Sequence, residues 1–140
     1  MKILLAVDGS PFTKRMLAYL TVHDEWLGAQ HQYTAVYAVP AVPPRAAAVL
    51  TKDVLKAHYD DEVDKVFKPI RQFFARRGID ATYIGKVGHA ADTIVNVAKK
   101  GDYDLLVMGS HGQSSLAGLV MGSVATKVIA GCSTPVLLVR

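Results

Sequence analysis

The stretch Tyr103–Gly131 reads "YDLLVMGSHGQSSLAGLVMGSVATKVIAG". It opens on a short apolar run, "DLLVMG" (104–109), of strand length. It closes on "GSVATKVIA", which predicts a helix from near Gly122 to about Ala130. Between them, Gly109 is followed after two residues by Gly112, and Gly112 after nine by the pair Gly122-Ser123. A strand that feeds a glycine-containing loop, which in turn opens a helix, is an α/β arrangement. The helix start offers unpaired N–H groups and about half a positive charge, which suits an anion. Glycine lets phosphate oxygens approach the backbone without a Cβ in the way. Glycines also serve tight turns and close packing, so both roles stay open here. No lysine follows Gly122, and Lys127 lies more than a turn along the helix, so this is not a Walker A loop. The glycine spacing also differs from G-x-G-x-x-G.

Working outward, strand and helix patterns alternate. "KILLAVD" (2–8) predicts a buried strand ending at Asp8. Ser10 and Pro11 suit a helix cap and first turn, and Phe12, Met16, Leu20 and Leu27 extend helical spacing over 11–28. "QYTAVYAV" (32–39) is strand-like. "PAVPPR" (40–45) suits neither a helix interior nor a central strand. Residues 48–77 carry a long apolar stripe, from Tyr59 through Val63, Val66, Phe67 and Ile70 to Phe74, closed by Gly78. Pro69 inside it predicts a kink or a break. "IDATYIGKV" (79–87) is a third strand and "HAADTIVNVAKKG" (89–101) a helix with Ile94, Val95 and Ala98 inward and Gly101 as its stop. "TPVLLVR" (134–140) is the last strand. The alternation predicts one α/β domain over 1–140, a doubly wound, Rossmann-like open sheet of five parallel strands with helices on both faces. In such sheets ligands sit at the carboxyl ends of strands where strand order reverses.

Composition bounds the function. A chain of 140 residues, 51% hydrophobic and 20% charged, can bury a real core. No apolar run reaches the roughly 18 residues that cross a bilayer, and "MKILLAVDGS" is too short for a secretory signal. Cys132 is the one cysteine, so no internal disulfide forms, and a cytoplasmic setting is the default expectation. The net charge of +4 is mild, and Arg71, Arg76 and Arg77 sit where cations favour a helix end. No nucleic-acid partner and no membrane partner is expected. The histidines lack metal-ligand spacing, and Cys132 lacks a histidine partner, so neither a metal site nor a catalytic residue is expected.

"GSHGQSSLAGLVMGSVATKVIAGCSTPVLLVR" resembles the C-terminal signature of the universal stress protein family, and "KILLAVDGSP" resembles its first strand and turn. The resemblance runs the length of the chain and includes the full G-x2-G-x9-G-[ST] motif of the ATP-binding subgroup. It implies a sheet of order 3-2-1-4-5, a cytoplasmic stress-response protein, a homodimer and bound ATP. Carried over by position, Gly109, Gly112, Gly122, Ser123 and Val124 should face the phosphates and ribose. Ser110, His111, Gln113, Ser114 and Ser115 should line the loop between them. Asp8 stands at the mouth of the first strand, Ala6 backs the site, and Ala38 matches the position whose backbone reads adenine. The chain departs from the family pattern at "PAVPPR" and at Ala90, where proline is typical.

Asp8 has two roles open to it: orienting ribose or a phosphate-bound Mg²⁺ through water, or capping its own "DGS" turn. Magnesium, held mainly by the phosphates, is the expected companion of ATP. Phosphoryl transfer needs a metal clamp, a positioned base and usually a cation near the γ-phosphate. Residues 109–123 hold no Lys, Arg, Asp or Glu, so binding with little or no turnover is expected. A nucleotide-free dimeric interaction module and a slow ATPase or phosphotransferase are the alternatives. The last strand, 134–140, is expected at a sheet edge, where pairing with a second copy would cover its apolar residues.

Overall fold

The computed structural model describes residues 1–112, 118 and 120–140. Its strands are β1 (Lys2–Ala6), β2 (Gln32–Val39), β3 (Ala81–Val87), β4 (Leu105–Gly109) and β5 (Val136–Val139). Its helices are α1 (Pro11–Thr21), α2 (Pro44–Ala47), α3 (Lys52–Ala75), α4 (Ala90–Gly101) and α5 (Ser123–Gly131). The strands form one sheet of order β3-β2-β1-β4-β5, as expected. All four pairings are parallel; Leu4, for example, lies between Thr34 of β2 and Leu106 of β4.

Because side chains alternate across a strand, β1 feeds two cores. Ile3, Leu5 and Val7 join Met16, Leu20, Phe67, Ile70 and Phe74 beneath α1 and α3. Leu4 and Ala6 join Ile94, Val97, Leu106, Met108 and Val128 beneath α4 and α5. Helices therefore cover both faces, which is why the central strands read as unbroken apolar runs.

Several boundaries differ from those the sequence predicts. The strand expected over 2–8 ends at Ala6, although Val7 N–H still donates to Val36 O at 3.0 Å. The helix expected over 11–28 ends at Thr21. The chain then turns irregularly back to β2, held by the buried Tyr33 hydroxyl, which accepts from Gly28 N–H at 2.8 Å and donates to Trp26 O at 2.9 Å. Leu27 still packs on the core, so its apolar character marked burial rather than helix. The predicted long helix begins later, after Thr51, whose side chain accepts from Val54 N–H.

It then runs through Pro69 as one element, without the predicted break. Pro69 is solvent-exposed while Phe67, Ile70 and Phe74 are buried. The carbonyl freed by the missing N–H therefore faces water, and the apolar stripe holds both halves on one sheet. At the end of α4 the left-handed residue is Asp102 (φ 49°) rather than Gly101. Among the described residues no helix is long and apolar enough to cross a membrane.

Candidate functional site

The order of the strands makes the site. The chain winds from β1 to β2 and β3, then returns to place β4 on the other side of β1. The connections leaving β1 and β4 diverge to opposite faces, and a crevice opens at their carboxyl ends. Here it is a cleft of about 380 Å³. Ala6, Asp8, Ala38, Gly109, His111, Gly112, Gly122, Ser123 and Val124 all line it. Of the predicted site residues, Ser110 lies beneath the lining, 2% exposed. Gln113, Ser114 and Ser115 lie outside the described residues.

Each motif glycine stands at a close approach. A Cβ on Gly109 would come within 2.6 Å of Phe12 Cβ, so β4 and α1 could not meet as they do. One on Gly112 would fall 2.8 Å from Asp8 Oδ2. One on Gly122 would meet Ser110 O and His111 Cα, both at 3.2 Å. The Gly122 N–H donates to Ser110 O at 2.7 Å, which ties the start of α5 to the end of β4. Gly122 is the N-cap of α5, so the N–H groups of Ser123, Val124 and Ala125 are the ones without an intrahelical partner. All three residues line the cleft.

Ser110 ties these pieces together. Its N–H donates to Val139 O at 2.9 Å, at the end of β5. Its hydroxyl lies 3.0 Å from His111 Nδ1. Beside it the His111 ring packs on Phe12, centroids 5.1 Å apart.

Asp8 adopts the turn-capping role. Gly9, at φ +75°, bends the chain immediately after it. The Oδ1 atom of Asp8 accepts from Ser10 N–H at 2.9 Å and from Thr13 Oγ1 at 3.0 Å. Its own N–H, released from the strand ladder, donates to Thr13 Oγ1 at 3.1 Å. These bonds fix the carboxylate while Asp8 remains in the lining, so capping and ligand contact are compatible. Tyr37 lines the same side; burial pushes its phenol up, with the Glu62 and Asp8 carboxylates adding to the shift.

Sequence reasoning missed Phe12, Thr13 and Tyr37, which it had read as ordinary helix or strand residues, and Ile94, which it had read as a core residue of α4; Pro40 and Ala90, where the chain departs from the family pattern, also line the cleft. The usable signal for Thr13 was its place three residues after Ser10, where first-turn side chains reach back towards the preceding loop. Among the described residues the lining contains no lysine or arginine. Its polarity comes from Asp8, His111, hydroxyls and the start of α5.

A doubly wound parallel sheet, with a cleft at its switch point closed by glycines and a helix start, defines a Rossmann-like α/β protein. The chain belongs to the universal stress protein family, whose model matches residues 1–140. It is 32% identical over 141 residues to a universal stress protein of Thermus aquaticus, covering 99% of this chain and 97% of that one. It is 30% identical over 152 residues to the universal stress protein YxiE of Bacillus subtilis, covering 99% and 98%. Among solved structures, the MJ0577 protein of Methanocaldococcus jannaschii superposes with a TM-score of 0.82 at 24% identity, over 99% of this chain and 94% of that one. Two more distant neighbours carry nucleotide. A family protein of Arabidopsis thaliana has AMP bound (TM-score 0.71, 14% identity, 99% and 90% covered). The Archaeoglobus fulgidus universal stress protein is in complex with dAMP (TM-score 0.61, 21% identity, 100% and 98% covered). Likenesses this remote establish the shared fold, and their ligands are properties of those proteins.

Proposed function

We propose that this chain is an ATP-binding regulatory protein of the stress response, working in the cytoplasm as a homodimer and turning over little or no nucleotide. The observation that carries this reading is the cleft at the switch point, where the first turn of α5 meets the close-packed turn at Gly109 and Gly112. Unpaired N–H groups and the positive end of the α5 dipole suit phosphate there. Ala38, Pro40, Ala90 and Ile94 offer an apolar seat for a base at the other end.

The donor set also fits a magnesium nucleotide. Asp8, oriented by Ser10 and Thr13, would reach a phosphate-held Mg²⁺ through water. The metal would screen phosphate charge beside that carboxylate. The absence of lysine and arginine from the lining among the described residues, together with the uncharged sequence of 113–119, supports binding over phosphoryl transfer. The dimer reading rests on β5 lying at the sheet edge with Val136, Leu137 and Leu138 only partly buried.

The test is calorimetry of ATP with and without Mg²⁺, alongside identification of any nucleotide released when the purified protein is heated. ATP binding strengthened by the metal is expected. The absence of both binding heat and a thermal shift at millimolar ATP would overturn the proposal.

A further inference from the structure

Among the described residues the cleft has no cationic side chain in its lining, yet one stands a single ring away. Arg15, on the first turns of α1, lays its guanidinium over the Phe12 ring, 4.9 Å from the centroid. Phe12 lines the cleft and packs in turn on His111, which lines it too. The side chain of Arg15 is exposed, and among the described residues it makes no ion pair. Its guanidinium rests on an aromatic face that belongs to the cleft.

We infer that Arg15 is a specificity-determining residue that reads the length of the phosphate chain, swinging from Phe12 onto the outer phosphates of a nucleoside triphosphate and leaving a monophosphate untouched. This deepens the proposed function and rests on it. A monophosphate at the start of α5 is served by backbone N–H groups. Each further phosphate adds negative charge near the Asp8 carboxylate, which repels it, and among the described residues the lining holds no cationic side chain to offset that charge. A guanidinium held by a ring face keeps all its N–H donors available for phosphate oxygens, and its flexible stem spans the width of one ring.

The experiment compares ATP and AMP affinities, each at fixed salt and Mg²⁺, for the unmodified chain, Arg15→Gln and Arg15→Lys. Because Arg15 is exposed, the variants should melt where the parent does. Arg15→Gln is expected to weaken ATP roughly tenfold while leaving AMP within about twofold, the size of one charge-assisted contact at a partly exposed site. Arg15→Lys should recover part of the ATP loss, because it keeps the charge and loses the planar fork. An unchanged ATP-to-AMP ratio in Arg15→Gln would overturn the assignment and leave the nucleotide site standing. If the unmodified chain took up neither nucleotide, the functional reading itself would fall, and this inference with it.

Discussion

Gly112 should be intolerant of a side chain because of Asp8, and the size of that effect follows from the structure. A Cβ at residue 112 would stand 2.8 Å from Asp8 Oδ2, closer than real Cβ contacts come. The carboxylate cannot simply rotate away. Its other oxygen is held by Ser10 N–H at 2.9 Å and Thr13 Oγ1 at 3.0 Å. Swinging it aside sacrifices one of those bonds, which to a charged acceptor is worth about 1.5–3 kcal/mol.

Gly112 does not have a left-handed φ, so alanine there carries no backbone strain. It should gain about 0.4–1 kcal/mol by restricting the unfolded chain. Gly112→Ala is therefore expected to destabilise by about 1–2 kcal/mol. In an Asp8→Ala background the obstacle is gone, and the same change should be neutral or stabilising. Urea denaturation of the four chains, at one protein concentration, measures the coupling directly. Additivity within about 0.5 kcal/mol, or a stabilised Gly112→Ala single variant, would refute the reasoning.

Three further outcomes are expected. Asp8→Asn keeps the size of the side chain and removes its charge, so ATP alone should bind more tightly while the strengthening by Mg²⁺ shrinks. Calorimetry checks this, and an unchanged metal effect would remove Asp8 from that role. Leu137→Asp on β5 should give a folded chain with a monomeric mass in light scattering, whereas a persistent dimer would place the interface elsewhere. The phenols of Tyr33, Tyr37 and Tyr83 are all pushed up by burial, so the folded state holds their protons more firmly than the unfolded chain. Stability should thus be intact below about pH 10 and fall as pH rises through the folded values. Tyr83→Phe should flatten that decline in alkaline urea titrations.

Much of this architecture was legible in the residues, for a physical reason. Buried parallel strands are short apolar runs, and "KILLA" and "LLVM" can hardly be anything else between loops. The helix ends were less legible because apolar spacing marks burial, and Leu27 packs on the core, partly buried, without being helical. Pro69 misled because its cost depends on which face it occupies, and that is set by how α3 rolls onto the sheet. In the site, the half built from consecutive motif residues was visible. The half contributed by Phe12, Thr13 and Tyr37 was not, since those residues reach the cleft only through the winding of β1, α1 and β2 around the switch point.

The glycine spacing bears differently on function once its geometry is known. Gly109 lets β4 approach α1, Gly112 lets the turn lie against Asp8, and Gly122 lets α5 begin on the backbone of Ser110 and His111. Each is a close approach that packing accounts for with no ligand invoked, tightest at Gly109 and Gly112. Yet packing these segments so tightly is what brings the start of α5 beside the ends of β1 and β4. A side chain at any of the three would push that helix start away from the cleft or wedge the strands apart. The motif therefore acts on a ligand through position: it sets where Ser123, Val124 and Ala125 present their N–H groups. Ser110 extends the same logic to the sheet edge, since its backbone joins the cap of α5 to the end of β5 through bonds of 2.7 and 2.9 Å.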